Sequence, residues 1–246
     1  MVFNTLTKIF LSPIYYIIHH NFIFGLIHKT FIKKFFYKNL SFNLKIKEIP
    51  LENYSSFLFK TYEYNDRKLI EKHINKKNKC IVLGGGIGFI PTLAYIKSRN
   101  KILVFEINKK IISNLKKNLF DNKVIFKIFT KNLVFKKEEK KYYFFSKDFL
   151  TTSSKVKSTK KKLIENIEVK NIRHFEKFNT LILDIEGEEE YYLSNIKKLK
   201  KIKYLFFELH YNILDKKKIN KIMSTLKSNG FSLTDKCFNS FYFSKG

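Results

Sequence analysis

The sequence predicts an α/β fold: a mostly parallel, doubly wound sheet finished by an antiparallel C-terminal strand pair. Three observations predict it. From residue 79 to residue 129, apolar runs of strand length alternate with amphipathic helical patterns, giving βαβαβ and right-handed crossovers. A glycine-rich turn, VLGGGIGF at Val82–Phe89, separates the first of those strands from its helix and holds four of the chain's eight glycines. Finally, Phe231–Leu233 and Phe241–Phe243 follow a helix that stops at Gly230, as a closing hairpin would.

Taken in order, Phe42–Lys47 alternates apolar and polar residues and reads as a strand. Asp66 is placed to cap a helix running through Leu69, Ile70 and Ile74. Lys79–Leu83 is the first buried strand, and Ile90, Leu93 and Ala94 face inward from the next helix, with Pro91 in its first turn. Ile102–Glu106 is a strand ending in an acid; Ile111, Ile112, Leu115 and Leu119 share one face of the helix after it. Val124–Phe129 is the third strand.

The rhythm then breaks. Leu133–Phe135 and Tyr142–Phe145 read as a hairpin around KKEEKK, and Thr151–Lys162 as a solvated Ser/Thr/Lys loop. The sheet resumes at Thr180–Ile185 and again at Lys203–Leu209. Between these strands lie Glu186–Glu190 and a helix with Leu193, Ile196 and Leu199 inward. Ile219, Ile222, Met223 and Leu226 line the last helix.

A chain of 246 residues, 44% hydrophobic, can bury one good core, so residues 41–246 are expected to form one domain. Residues 1–40 read as an apolar, basic, helical appendage. Ile9–Ile27 carries no Lys, Arg, Asp or Glu, and Lys29–Leu40 sets Phe31, Ile32, Phe35 and Phe36 on one helical face among lysines. That pattern suits either a helix lying on an anionic membrane surface or helices packed on the domain. The expected location is cytoplasmic, with peripheral contact to the inner membrane face.

Net charge is +28. Such a charge suggests a polyanionic partner, yet only three of the 49 basic residues are Arg (Arg67, Arg99, Arg173). Nucleic-acid readers favour the bidentate Arg fork. Abundant Lys, Phe, Ile, Asn and Tyr point instead to A/T-rich coding, and nucleic acid is disfavoured as a partner. Cys80 and Cys237 stand alone, with no zinc spacing.

Gly84, Gly86 and Gly88 make GxGxG, with neither the GxGxxG spacing nor a P-loop lysine. Bare backbone at a helix N-terminus cradles a nucleotide-like ligand. Glu106, 22 residues after Gly84 at the end of the next strand, is placed to accept hydrogen bonds from ribose hydroxyls. Gly84, Gly86, Gly88 and Glu106 are therefore the candidate cofactor-binding residues. Asp184, Glu186, Glu208 and His210 end two strands expected to be neighbours. Alternation puts each pair on one side, and a His–carboxylate cluster there suits acid–base work or a divalent metal. His210 is the best single base, with Asp184 orienting an acceptor or holding a metal and Glu208 fixing the imidazole. Glu188, Glu189 and Glu190 read as first-turn acids that favour the helix dipole.

Four blocks, VLGGGIGF, ILVFEINKKIISNLKKNL, FNTLILDIEGEEEYYL and YLFFELH, together resemble the FkbM family of S-adenosylmethionine-dependent methyltransferases over roughly Tyr62 to Phe243. The D-x-E-G-x-E block with the later E-x-H carries most of the likeness. Val82, Gly86 and Ile182 depart from the family's usual Asp, Asn and Lys. The resemblance implies a Rossmann-like class I methyltransferase fold, S-adenosylmethionine as cofactor, and O-methylation of a small-molecule, glycan or lipid-linked glycan hydroxyl. No Asn/Asp-Pro-Pro-Tyr/Phe motif follows the fourth strand, which argues against base methylation. Two other readings stay open: a nucleic-acid methyltransferase, and an inactive protein that binds cofactor or membrane.

Overall fold

The computed structural model describes residues 26, 29–31, 33–45, 49, 51–136, 142–143, 162–163, 165–185, 187–211 and 213–246. Its centre is a seven-stranded sheet. The strands in chain order are β3 (Cys80–Leu83), β4 (Ile102–Phe105), β5 (Phe126–Phe129), β10 (Thr180–Leu183), β11 (Tyr204–Glu208), β12 (Phe231–Cys237) and β13 (Ser240–Lys245). Their spatial order is β12-β13-β11-β10-β3-β4-β5. β3, β4, β5, β10 and β11 pair in parallel, while β13 runs antiparallel to both β11 and β12. This is the mostly parallel, doubly wound sheet that the sequence predicts, including the C-terminal antiparallel pair. Chain order reverses between β3 and β10, and ligands bind outside the carboxyl ends of strands at such a switch point.

Strand alternation sends side chains to two cores. Cys80, Val82, Ile102, Val104, Ile182 and Phe206 face one, under helices α1 (Leu51–Leu58), α2 (Tyr64–His73), α3 (Phe89–Ser98) and α4 (Ile112–Asp121). Ile81, Leu83, Leu103, Phe105, Leu181, Leu183, Leu205 and Phe207 face the other, under α5 (Glu189–Ser194) and α6 (Lys216–Ser228). Burial on both faces explains why the central strands read as unbroken apolar runs.

Several sequence expectations are corrected. The amphipathic helix over Lys29–Leu40 is not formed: Lys29–Phe31 is helical, but Lys34–Tyr37 is strand β1, hairpinned with β2 (Leu40–Asn43). Phe35 is not on a membrane face. It is 1% exposed and packs against Phe42, Phe57, Tyr62 and Phe89. Alternation along Lys34–Tyr37, with Phe35 and Tyr37 inward, defeats the helical reading of the same residues. Asn118 of α4 and Asn122 at its C-cap fasten β2, their Oδ1 atoms accepting from Asn43 N at 2.7 Å and Ser41 N at 3.1 Å. The hairpin thus crosses the expected boundary at residues 40/41. Most of Ile9–Ile27 lies outside the described residues, and no helix among those described is long and apolar enough to cross a membrane.

Nor do Leu133–Phe135 and Tyr142–Phe145 form a hairpin. β6 (Asn132–Val134) pairs in parallel with β9 (Asn166–Glu168), while β7 (Tyr142–Tyr143) pairs antiparallel with β8 (Lys162–Leu163). Of the expected loop Thr151–Lys162, residues 151–161 lie outside the described residues. Asp66 does not cap α2: Glu63 holds the N-cap position, and Asp66 is buried in the first turn.

Candidate active site

The glycine loop leaves β3 and turns past the end of β10. Gly84 has φ +92°, and a Cβ there would lie 1.9 Å from the Asp184 carbonyl oxygen. Gly86 has φ +51°, but a Cβ there would meet nothing nearer than the Tyr62 hydroxyl at 3.7 Å. Gly84 is thus demanded by packing, whereas Gly86 keeps open the wall of a cleft. Gly88 caps α3.

Glu106 follows β4 and is almost wholly buried. Its Oε2 accepts from Gly85 N at 3.0 Å and Gly86 N at 3.2 Å, and its Oε1 from Asn108 N at 2.7 Å. Burial raises its carboxyl pKa, and the N–H groups of Asn108, Gly86 and Gly85 oppose that rise. The acid therefore ties the loop of one strand to the end of the next.

At the ends of β10 and β11, lining the same cleft, Asp184, Glu208 and His210 converge, each partly buried. His210 Nδ1 lies 3.1 Å from Oε1 of Glu189, and its Nε2 lies 3.9 Å from Asp184 Oδ1. Glu189 is 0% exposed, and its Oε1 also accepts from Ile185 N at 3.3 Å. Glu189 Oε1 thus accepts from a backbone N–H and stands within hydrogen-bond reach of Nδ1; with the imidazole proton on Nδ1, Nε2 is left as an acceptor on the Asp184 side. This corrects two expectations. Glu189 is not a dipole acid at the surface, and Glu208 does not fix the imidazole; its Oε1 accepts from Asn239 Nδ2 instead. Of the other two first-turn acids, Glu188 lines the cleft and Glu190 pairs with Lys218 at 3.3 Å. Glu186 lies outside the described residues.

The sequence reading also passed over Tyr62 and Asp66. Burial first, then the carboxylates of Glu63, Asp184 and Glu106, raise the Tyr62 phenol well above its usual value, keeping it neutral. Asp66 is pushed up to about 7, by burial first and by Glu208 second. An acid whose folded pKa lies above its unfolded value stabilises the fold at low pH, and that contribution is lost as pH rises through the window between the two values. Here the window runs from 3.8 to about 7. Asp66→Asn cannot ionise and is expected to flatten the decline. Thermal melting of both proteins from about pH 4 to about pH 8 with chelator present checks it; equal slopes would refute the assignment. For Glu189 a signal did exist, since it is the final acid of D-x-E-G-x-E. Nothing local marks Asp66 or Tyr62, which reach the site only through the docking of α2.

The cleft has a volume of about 370 Å³. Glu63, Glu106, Asp184, Glu188 and Glu208 line it, with Ile87, Ile90 and Phe105 as apolar wall. Lys131 is the only lysine or arginine among the described lining residues, and it pairs with Glu165 at 3.0 Å.

No family model matches the chain. No curated protein matches it either. Among solved structures it is similar to M. jannaschii TYW2 in complex with AdoMet, at 13% identity and TM-score 0.46, over 87% of this chain and 86% of that one. P. horikoshii TYW2 in complex with MeSAdo gives 9% identity and TM-score 0.46, over 85% and 68%. A ribosomal protein L11 methylase from Lactobacillus delbrueckii subsp. bulgaricus gives 13% and 0.47, over 74% and 77%. Likenesses this distant assign no chemistry to this chain, whose site is defined by its own residues.

Proposed function

We propose that this chain is an S-adenosylmethionine-dependent methyltransferase, of the kind the FkbM-like blocks suggest, acting on a hydroxyl of a small-molecule or glycan acceptor. One observation carries the reading: the glycine loop tied by Glu106 and the side chains of Asp184, Glu208 and His210 line a single cleft.

The residues fit such a cofactor. Gly86 leaves room for close backbone approach, and Gly84, Gly86, Gly88 and Glu106 would hold the nucleoside end. On a chain of net charge +28, a cleft lined by five acids reverses the local sign. That potential favours a cation and opposes the pyrophosphate of NAD. Bound, the cofactor supplies an electrophilic methyl group on a sulfonium. The chain's part is to orient the acceptor and relieve its hydroxyl of a proton, which the strand-end cluster is placed to do. A nucleic-acid acceptor is the second reading, favoured by the charge outside the cleft.

Calorimetric titration tests the first step. S-adenosylmethionine is expected to bind in preference to NAD. Glu106→Ala, which strands the Gly85 and Gly86 N–H groups, is expected to weaken binding by roughly 1–3 kcal/mol. NAD preference, or unchanged affinity in the variant, would refute the placement.

A further inference from the structure

We propose that Asp184, Glu208 and His210 bind one divalent cation at the acceptor end of the cleft. Each offers one ligand atom, and these atoms lie within 4.8 Å of one another. The 3.9 Å between His210 Nε2 and Asp184 Oδ1 is too long for a hydrogen bond. Small side-chain rotations close that gap onto a shared ion, whose ligands stand at about 2.0–2.3 Å.

A second observation concerns the imidazole alone. A metal-bound histidine presents one nitrogen to the ion and donates the other N–H to a carboxylate that fixes the ring. His210 has that arrangement: Nδ1 lies 3.1 Å from Oε1 of Glu189, which is fully buried, and Nε2 stands on the Asp184 side, 3.9 Å from its Oδ1. Charge points the same way. Asp184, Glu189 and Glu208 gather here, and the one lysine of the described cleft wall is paired with Glu165. Two carboxylates and a neutral imidazole suit a first-row ion such as Mn²⁺. The ion would contact the acceptor hydroxyl as a Lewis acid, with His210 as ligand. That role rests on the methyltransferase reading; the binding itself does not.

The test titrates Mn²⁺ into the full-length, metal-stripped protein without cofactor, reading free Mn²⁺ by electron paramagnetic resonance. One ion per chain is expected. Asp184→Asn and His210→Gln should each weaken binding at least about tenfold, and Glu189→Gln by about 10–100-fold through loss of the ring's anchor. Glu190→Gln, whose partner is Lys218, should bind as the parent does. Circular dichroism verifies folding; if Glu189→Gln fails to fold, the partly buried Asp184 and His210 variants decide. No binding at millimolar Mn²⁺, or full binding in both of those variants, overturns the proposal. A parallel S-adenosylmethionine titration separates the two ideas: cofactor without metal sinks only the cation site, and metal without cofactor sinks only the methyltransferase reading.

Discussion

Gly84→Ala is expected to destabilise the protein severely, whereas Gly86→Ala is expected to leave it folded and impair the cleft. Both positions have positive φ, so each alanine carries a left-handed penalty of about 1–2 kcal/mol. Their surroundings differ. At Gly84 the new methyl would sit 1.9 Å from the Asp184 carbonyl oxygen, a backbone atom of a central strand's end that has no free rotation. The loop or β10 must shift, and β10 is held by β3 and β11 on either side. The combined cost is on the order of 4 kcal/mol, at the upper end for a single substitution. For a chain of this size that lowers the melting temperature by about 8–16 °C. At Gly86 the nearest atom is 3.7 Å away, an ordinary contact, so only the conformational penalty applies. Its methyl points into the space proposed for the cofactor. Calorimetric melting and cofactor titration of both variants form the check. Equal melting temperatures would show that the loop relaxes freely, and parental affinity in Gly86→Ala would remove that wall from the binding site.

The second large effect is on turnover. Once a hydroxyl acceptor is found by screening glycans and lipid-linked glycans, His210→Ala is expected to lower the rate by roughly 10²–10⁴-fold, the usual worth of assisting proton removal, which His210 serves as a ligand of the proposed cation. Asp184→Ala and Glu208→Ala belong to the same cluster and should fall in the same range without summing, because groups that act as a unit are not additive. Cofactor affinity should survive in all three, since none of them makes the Glu106 hydrogen bonds that hold the glycine loop. Normal turnover in all three variants would place the chemistry elsewhere. Loss of cofactor instead would assign the cluster to the cofactor pocket. Glu189→Gln gives a further distinction: it keeps the shape and lets Nδ1 lose its carboxylate partner, so a shifted pH–rate profile with unchanged cofactor affinity marks a positioning role.

Much of this site was legible in the chain. Glycine punctuation, a buried strand before it and an acid at the end of the next strand place Gly84 and Glu106 side by side, because parallel crossovers leave little freedom. Asp184, Glu208 and His210 follow from alternation at two strand ends. Glu189 was misread although it lies in the most telling block. A glutamate in the first turn of a helix is commonly an exposed dipole partner, and exposure is not written in its neighbours; here the first turn of α5 is buried with its carboxylate against His210. Asp66 and Tyr62 were beyond reach for a related reason: Tyr62 stands just before α2 and Asp66 in its first turn, yet the acids that act on them include Asp184 and Glu208, more than 100 residues later.

The order of apolar runs along the chain is enough to give the parallel sheet, its closing pair and the edge where the candidate site stands. Those depend on local periodicity and on connections that admit one handedness. Tertiary structure alone decided how the N-terminal aromatics are used and which acids are buried. Lys34–Tyr37 carries a pattern that serves a helix on a membrane or a strand on a core. Its fate is settled by Phe89, which receives Phe35, and by the pairing with β2, whose Ser41 and Asn43 are held by Asn122 and Asn118. Likewise a carboxylate's burial, and hence its proton affinity, is a property of what packs over it, and packing joins residues whose separation along the chain leaves no mark in either neighbourhood.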